Sequence, residues 1–365
     1  MFENKNQELT PIAQLGEFGL IKHLTEHFPI KNSSTLLVVG DDAGVINPED
    51  KKILISTEIF TEGVHFNLGY VPLKHLGYKS VVAGISDIVA MNAEPSQILV
   101  SIAVSNRFPV EALEEIYAGI SLACQRYKLD LVGGDTTSSQ TGLVINITAI
   151  GLEREENIVK RNGAKPNDLL VITGDLGGAY MGLQILEREH SVYLKNPNMQ
   201  PEMQGYDYIL ERQLKPEART DIKKILEDLG VKPTAMMDIS DGLASEILHL
   251  SDQSQVGFRI YEDKIPMDEL TISTAEEFNL NPIMTALSGG EDYELIFTIS
   301  PTDYDKIKNH FDFTVIGHAV EKEQGNFLVA KGSNELITIT AQGWEAYLKN
   351  QKEAEFKVKK EENAE

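Results

Sequence analysis

Val81-Val82-Ala83-Gly84-Ile85-Ser86-Asp87-Ile88-Val89 lies inside a helical pattern that runs over Pro72–Met91. Asp87 interrupts this apolar stretch, and a carboxylate buried there without a partner is costly, so it needs a donor or a cation. Working outward, Lys52–Phe60 reads as a strand before the helix and Ile98–Val104 as a strand after it. Val110–Tyr127 has helical spacing, and Leu143–Gly151 alternates apolar residues as a closing strand. This β-α-β-α-β rhythm fits helices packed on one face of a sheet. Upstream, Leu9–Phe28 places Ile12, Leu15, Phe18, Leu20 and Leu24 along one side of a helix.

A charged cluster, Glu153-Arg154-Glu155-Glu156-Asn157, marks the expected boundary, giving domains over 1–151 and 152–345 and a charged tail over 346–365. Beyond it, Asn167–Thr173 reads as a strand running into Gly174-Asp175-Leu176-Gly177-Gly178 and a helix to about Glu187. Pro216–Leu229 and Ser240–Asp252 look helical, and Phe258–Tyr261, Tyr293–Ser300 and Phe313–Ala319 look like strands. The last residues, from Asn350, are charged and poor in apolar side chains, as in a frayed or disordered end.

With 365 residues, 42% hydrophobic and 24% charged, the chain is long enough for two domains with cores of their own. The net charge of −23 repels nucleic acid and anionic membrane surfaces, so neither is an expected partner. It repels free ATP as well, which should arrive as its magnesium complex. Cys124 is the single cysteine, which excludes an intramolecular disulfide and argues for a buried apolar role. The first residues lack the apolar core of a signal peptide, and no run reaches the ~18 apolar residues of a membrane span. A cytoplasmic protein is expected.

Five acidic motifs beside small residues carry the chemistry: Gly40-Asp41-Asp42-Ala43, Ser56-Thr57-Glu58, Ser86-Asp87, Gly133-Gly134-Asp135-Thr136-Thr137 and Asp238-Ile239-Ser240-Asp241-Gly242. Carboxylates and hydroxyls suit hard cations such as Mg²⁺ that hold phosphates. Three of these motifs have a plainer alternative: a solvated turn at Asp41-Asp42, an internal cap or buried hydrogen bond at Asp87, a helix cap at Ser240 or Asp241. Gly133-Gly134 is expected to end the strand Leu129–Val132 and let backbone N–H groups approach a phosphate. Neither a Lys-bearing phosphate loop nor a G-x-G-x-x-G fingerprint occurs. Ser288-Gly289-Gly290-Glu291-Asp292-Tyr293-Glu294 reads as a tight approach loop or an acidic turn, and His65 and Trp344 as packed side chains or ligand contacts.

Taken in order, these motifs resemble thiamine-monophosphate kinases, together with Glu62-Gly63-Val64-His65-Phe66, Tyr78-Lys79 and Arg161-Asn162-Gly163-Ala164-Lys165-Pro166. The family belongs to the ATP-binding superfamily of aminoimidazole ribonucleotide synthetase. The resemblance implies an α/β (α+β) fold of two domains, the N-terminal one dimerising through its sheet. It implies direct phosphoryl transfer from ATP to thiamine monophosphate, assisted by several Mg²⁺ ions. Asp42, Ser56, Thr57, Glu58, Asp87, Asp135, Asp238 and Asp241 would bind magnesium. Gly134, Arg161, Ser240 and Tyr117 would touch ATP, and His65, Glu291 and Trp344 thiamine monophosphate. Glu58 departs from the family, in which most members have Asp.

No general base is expected, because a phosphate oxygen is already deprotonated at neutral pH. The main barrier is repulsion: two unit charges at ~4 Å repel by about 4 kcal/mol at an effective dielectric of 20. Two other readings compete, a different synthetase of the same superfamily and a non-catalytic nucleotide-binding regulator.

Overall fold

The structure, a computed structural model, describes residues 9–40 and 43–340. Asp42, Trp344 and the charged tail therefore lie outside the described residues. The first part contains α1 (Ile12–Thr25), β1 (Thr35–Leu37), β2 (Val45–Ile46), β3 (Lys52–Thr61), α2 (Leu73–Ala90), β4 (Glu94–Val104), α3 (Val110–Tyr127), β5 (Asp130–Ser138) and β6 (Val144–Glu153). Four of these strands form a sheet in the order β3-β6-β4-β5, with only the β4–β5 pair parallel.

The second part contains β7 (Leu169–Thr173), α4 (Gly178–Lys195), α5 (Asp207–Leu214), α6 (Asp221–Leu229), β8 (Ala235–Ile239), α7 (Leu243–Ser254), β9 (Val256–Tyr261), α8 (Glu269–Glu277), α9 (Pro282–Ser288), β10 (Glu294–Ile299), α10 (Tyr304–Ile307), β11 (Phe313–Glu321), β12 (Phe327–Val329) and β13 (Leu336–Thr338). Its seven strands run β13-β12-β9-β11-β7-β10-β8.

Period-two alternation decides which face of the first sheet is covered. Leu54 and Phe60 of β3 point inward with Ile145 and Ile147 of β6, beneath α2 and α3. Ile53, Ile55 and Ile59 point the other way and are 47%, 68% and 54% exposed. The helices therefore cover one face only, as the β-α-β-α-β pattern implies. Val89 and Ala90, at the end of α2, continue into a second core with Val171, Met236, Leu295 and Phe297. Helix α2 thus packs against both sheets.

Two expectations change. The strand expected to stop at Val132 continues as β5 through Ser138, paired with β4 along its length. Gly134 is required by that pairing, since a Cβ on it would lie 1.8 Å from the carbonyl oxygen of Val100. The helix expected over Pro216–Leu229 begins only at Asp221, and a separate helix, α5, precedes it.

Helices α2 and α3 cross closely. A Cβ on Gly119 would approach the Lys74 carbonyl oxygen to 1.9 Å, and one on Gly77 the Ile116 carbonyl oxygen to 2.0 Å. Both obstacles are backbone, so neither can swing aside. Gly119→Ala is expected to destabilise the protein by about 1–3 kcal/mol, read as a lower urea midpoint at unchanged slope.

Candidate functional site between the two domains

Helix α2 carries the acid that organises the site. Alternation along β3 turns Ser56 and Glu58 toward α2, and the Ser56 hydroxyl donates to Asp87. One residue earlier on the helix, the Ser86 hydroxyl donates to Oδ2 of Asp238 at 2.6 Å. Asp238 lies near the end of β8, so this bond joins the first part of the chain to the second. Asp241 follows in the loop before α7, and its backbone N–H donates to Glu246 at 3.0 Å. Gly242 occupies the N-cap of α7 without a side-chain cap, so neither Ser240 nor Asp241 has the capping role that was an alternative for it.

Glu58, Asp87, Ser240, Asp241 and Glu291 border one cavity of about 760 Å³, with Asp238 at its buried edge. Burial raises the Glu58 pKa to about 7, with further increments from Asp87, Asp238 and Asp241. Asp238 is also pushed upward, by burial first and then by Asp87. Burial raises Glu246 to about 8 against the hydrogen bond it receives from Asp241. Several acids thus oppose one another's ionisation, the situation that a bound cation relieves.

An all-oxygen donor set fits magnesium. Among the described residues, no three acidic or imidazole groups converge on one point. Separate carboxylates along a wall suit ions shared with phosphate oxygens better than a cage built by protein alone.

Other expected residues lie elsewhere. Thr57 faces the open side of the sheet, where its hydroxyl meets Thr148 at 3.2 Å, because three successive strand residues cannot share one face. Asp135 is exposed, paired with Ser101 on β4, and does not border the cavity. Tyr117 is buried in the core beneath the first sheet. Arg161 is exposed yet close enough to favour ionisation of Asp238 and Asp241. His65 borders the cavity and accepts a hydrogen bond at Nδ1 from the Thr61 N–H, at 3.1 Å. Its pKa is lowered, chiefly by burial, despite the nearby Glu291.

Tyr70, Tyr180, Leu183 and Met284 also border the cavity and add an aromatic and apolar wall. They come from loops and from helices α4 and α9, and spacing along the chain gave no signal for them. Glu246 also escaped notice, although an acid in the first turn of the helix after Asp241-Gly242 was available as a clue.

Two domain models define the class of protein. "AIR synthase related protein, N-terminal domain" matches residues 40–152, and "AIR synthase related protein, C-terminal domain" matches 165–330. The thiamine-monophosphate kinase of Aquifex aeolicus is 32% identical over 337 residues, covering 92% of this chain and 99% of that protein. That of Bacillus subtilis is 32% identical over 329 residues, covering 88% and 97%. A structure of AaThiL complexed with AMPPCP and TMP is 29% identical, with a TM-score of 0.70, covering 94% of this chain and all of that one. Escherichia coli HypE, a hydrogenase maturation protein, shares the fold at 18% identity and a TM-score of 0.67. The chain belongs to the thiamine-monophosphate kinase family and is an enzyme of the thiamine-phosphate kinase type.

The raised acids fix the sign of a pH effect. A carboxyl with a raised pKa in the folded state is stabilising while protonated, and that contribution is lost as pH rises through the folded value. For Glu58 and Glu246 this window runs from the ordinary 4.5 to about 7 and 8. Without divalent cations, the melting temperature is expected to fall as pH rises through this window. Magnesium should restore it at the upper end and have little effect at the lower. Melting curves at several pH values, with and without MgCl₂, check this, and a flat profile in both series would contradict it.

Proposed function

We propose that this chain transfers the γ-phosphoryl group of ATP directly to the phosphate of thiamine monophosphate, giving thiamine diphosphate and ADP. The observation that carries this reading is a cavity bordered both by opposed carboxylates and by aromatic side chains. Such a wall has no use for two polyanions unless cations accompany them. The family relationship and the relative holding AMPPCP and TMP support the same assignment. ATP as co-substrate implies action in the cytoplasm.

Ser56, Glu58, Asp87, Asp238 and Asp241 would hold magnesium with the phosphates. Bound magnesium would cancel charge between donor and acceptor and favour in-line transfer. Ser240 and Arg161 would touch ATP, and His65 and Glu291 would face thiamine monophosphate. For Asp42 and Trp344 the reading rests on the family motifs. Thr57, Gly134 and Asp135 enter it only through a second copy of the chain. The exposed row Ile53, Ile55 and Ile59 supports a homodimer across that open sheet face. Tyr117 is left out of this reading because it belongs to the core.

The attacking phosphate oxygen needs no base, so free thiamine, whose hydroxyl does, should be a poor acceptor. Product analysis is expected to show thiamine diphosphate from thiamine monophosphate and ATP, and none from thiamine. Equal yields from both acceptors would overturn the reading.

Two acids test the proposed cation sites. Asp87→Asn should leave the protein folded and lower kcat by roughly 10²-fold or more. Glu58→Asp should hold or raise activity and lower the magnesium concentration at half-maximal rate, while Glu58→Gln should raise that concentration. Turnover titrated with magnesium separates these outcomes, and indifference of both Glu58 variants would place the residue outside the metal site.

A further inference from the structure

Tyr78-Lys79 belongs to the motif set, yet neither residue is among the metal, ATP or substrate contacts proposed above. Lys79 lies on α2 and is only 5% exposed. Its Nζ is 2.9 Å from Oε1 of Glu291 and donates to the backbone carbonyl of Gln213 at 2.9 Å. The Gln213 side chain in turn donates to Oε2 of Glu291 at 2.9 Å. Both oxygens of the Glu291 carboxylate are therefore held, one from the N-terminal part and one from α5.

The backbone around Glu291 needs such support. Glu291 and Tyr293 have φ of 67° and 52°, a left-handed conformation that side chains other than glycine seldom adopt. Conformations of this kind persist only where surrounding contacts fix them. Asp292 between them is buried and accepts from the N–H groups of Gly177 and Ala179 at 2.7 and 3.2 Å, closing the start of α4. The Glu291 and Tyr293 N–H groups donate to the Ser240 and Ile239 carbonyls at 2.8 and 3.0 Å. The main chain is thus anchored on the second domain, while the Glu291 side chain reaches Lys79 on the first. A buried ammonium must have a partner, and this one is placed at the wall of the cavity.

We propose that Lys79 is a positioning residue for the thiamine end of the site. Through Glu291 and Gln213 it fixes the Glu291 carboxylate at the cavity wall and ties α5 and the Gly289–Tyr293 loop to α2. This rests on the reading of Glu291 as a contact to thiamine monophosphate. Without Lys79, the substrate would have to order a mobile glutamate each time it binds, which weakens binding. The extra net negative charge acts in the opposite sense, but at a partly hydrated carboxylate it is the smaller effect.

The test is steady-state kinetics with both substrates varied for the wild type, Lys79→Met, Glu291→Gln, the double variant and Gln213→Ala. Lys79→Met is expected to raise KM for thiamine monophosphate roughly tenfold while KM for ATP stays within about twofold. In the Glu291→Gln background the same change should add less than about threefold, because both act through one contact. Gln213→Ala, which keeps the buried ion pair, should give the same split at about threefold. It decides the matter if Lys79→Met does not fold. Equal shifts in both KM values, or additive effects of Lys79 and Glu291, would overturn the proposal. A wild type that makes no thiamine diphosphate would refute the proposed function instead. Calorimetric binding of thiamine monophosphate to the same variants would then decide the Lys79 inference, with equal affinities overturning it.

Discussion

Fourteen of the eighteen residues of α2 are buried, so Lys79, Ser86 and Asp87 on this helix need partners inside the protein. The helix supplies them by reaching in two directions. Asp87 is met by Ser56 from the sheet of its own domain. Ser86 and Lys79 are met by Asp238 and Glu291 from the other. Hydrophobic contact alone would tolerate some sliding of one domain on the other. Short polar contacts at Ser86 and Lys79, about two turns apart on one helix, leave far less freedom. The cavity is where these two contacts hold the domains beside one another, so its walls inherit their geometry from the helix.

The same requirement explains why charge is concentrated there. A buried carboxylate is disfavoured by lost hydration, and a second one nearby adds repulsion. Glu58, Asp238 and Glu246 all have raised pKa values for the first reason, and all three also feel neighbouring acids. A fold without use for cations at this place would be more stable with apolar residues. Asp238 and Glu246 are instead braced by a hydroxyl and a backbone donor, which hold them in place without neutralising them. Elsewhere the buried Glu294 is paired with cations of the chain itself, Arg212 and Arg219.

Long, strongly patterned elements were legible from sequence: α3 has the bounds that its spacing implies, and β3 and α2 differ by a residue at most at each end. Short helices such as α5 and α9 were not, because seven or eight residues form a helix only through tertiary contacts. Gly133-Gly134 reads as the end of a strand in isolation, and only the approach of β4 reveals that the strand continues. Within the site, the motif Ser56-Thr57-Glu58 suggested three neighbours acting together, whereas alternation divides them between two faces. Spacing assigns Lys79 no role, since a lysine in a helical pattern ordinarily faces water. What sequence lacks in each instance is the partner element, here β4, β6 or the Glu291 loop.

Glu58 shows how one side chain answers to both domains. It stands on β3 in the N-terminal domain, two residues beyond Ser56 and on the same inward face. Yet the acids that shift it include Asp238 and Asp241 from the C-terminal domain, besides Asp87. An aspartate at this position would hold its carboxylate nearer the strand, one methylene further from those partners. The longer side chain carries negative charge toward the junction, so acids from both domains repel as one group. Any cation taken up there would be shared by β3, α2 and the segment from Asp238 to Asp241, so its binding would add to the contacts that already join the two domains.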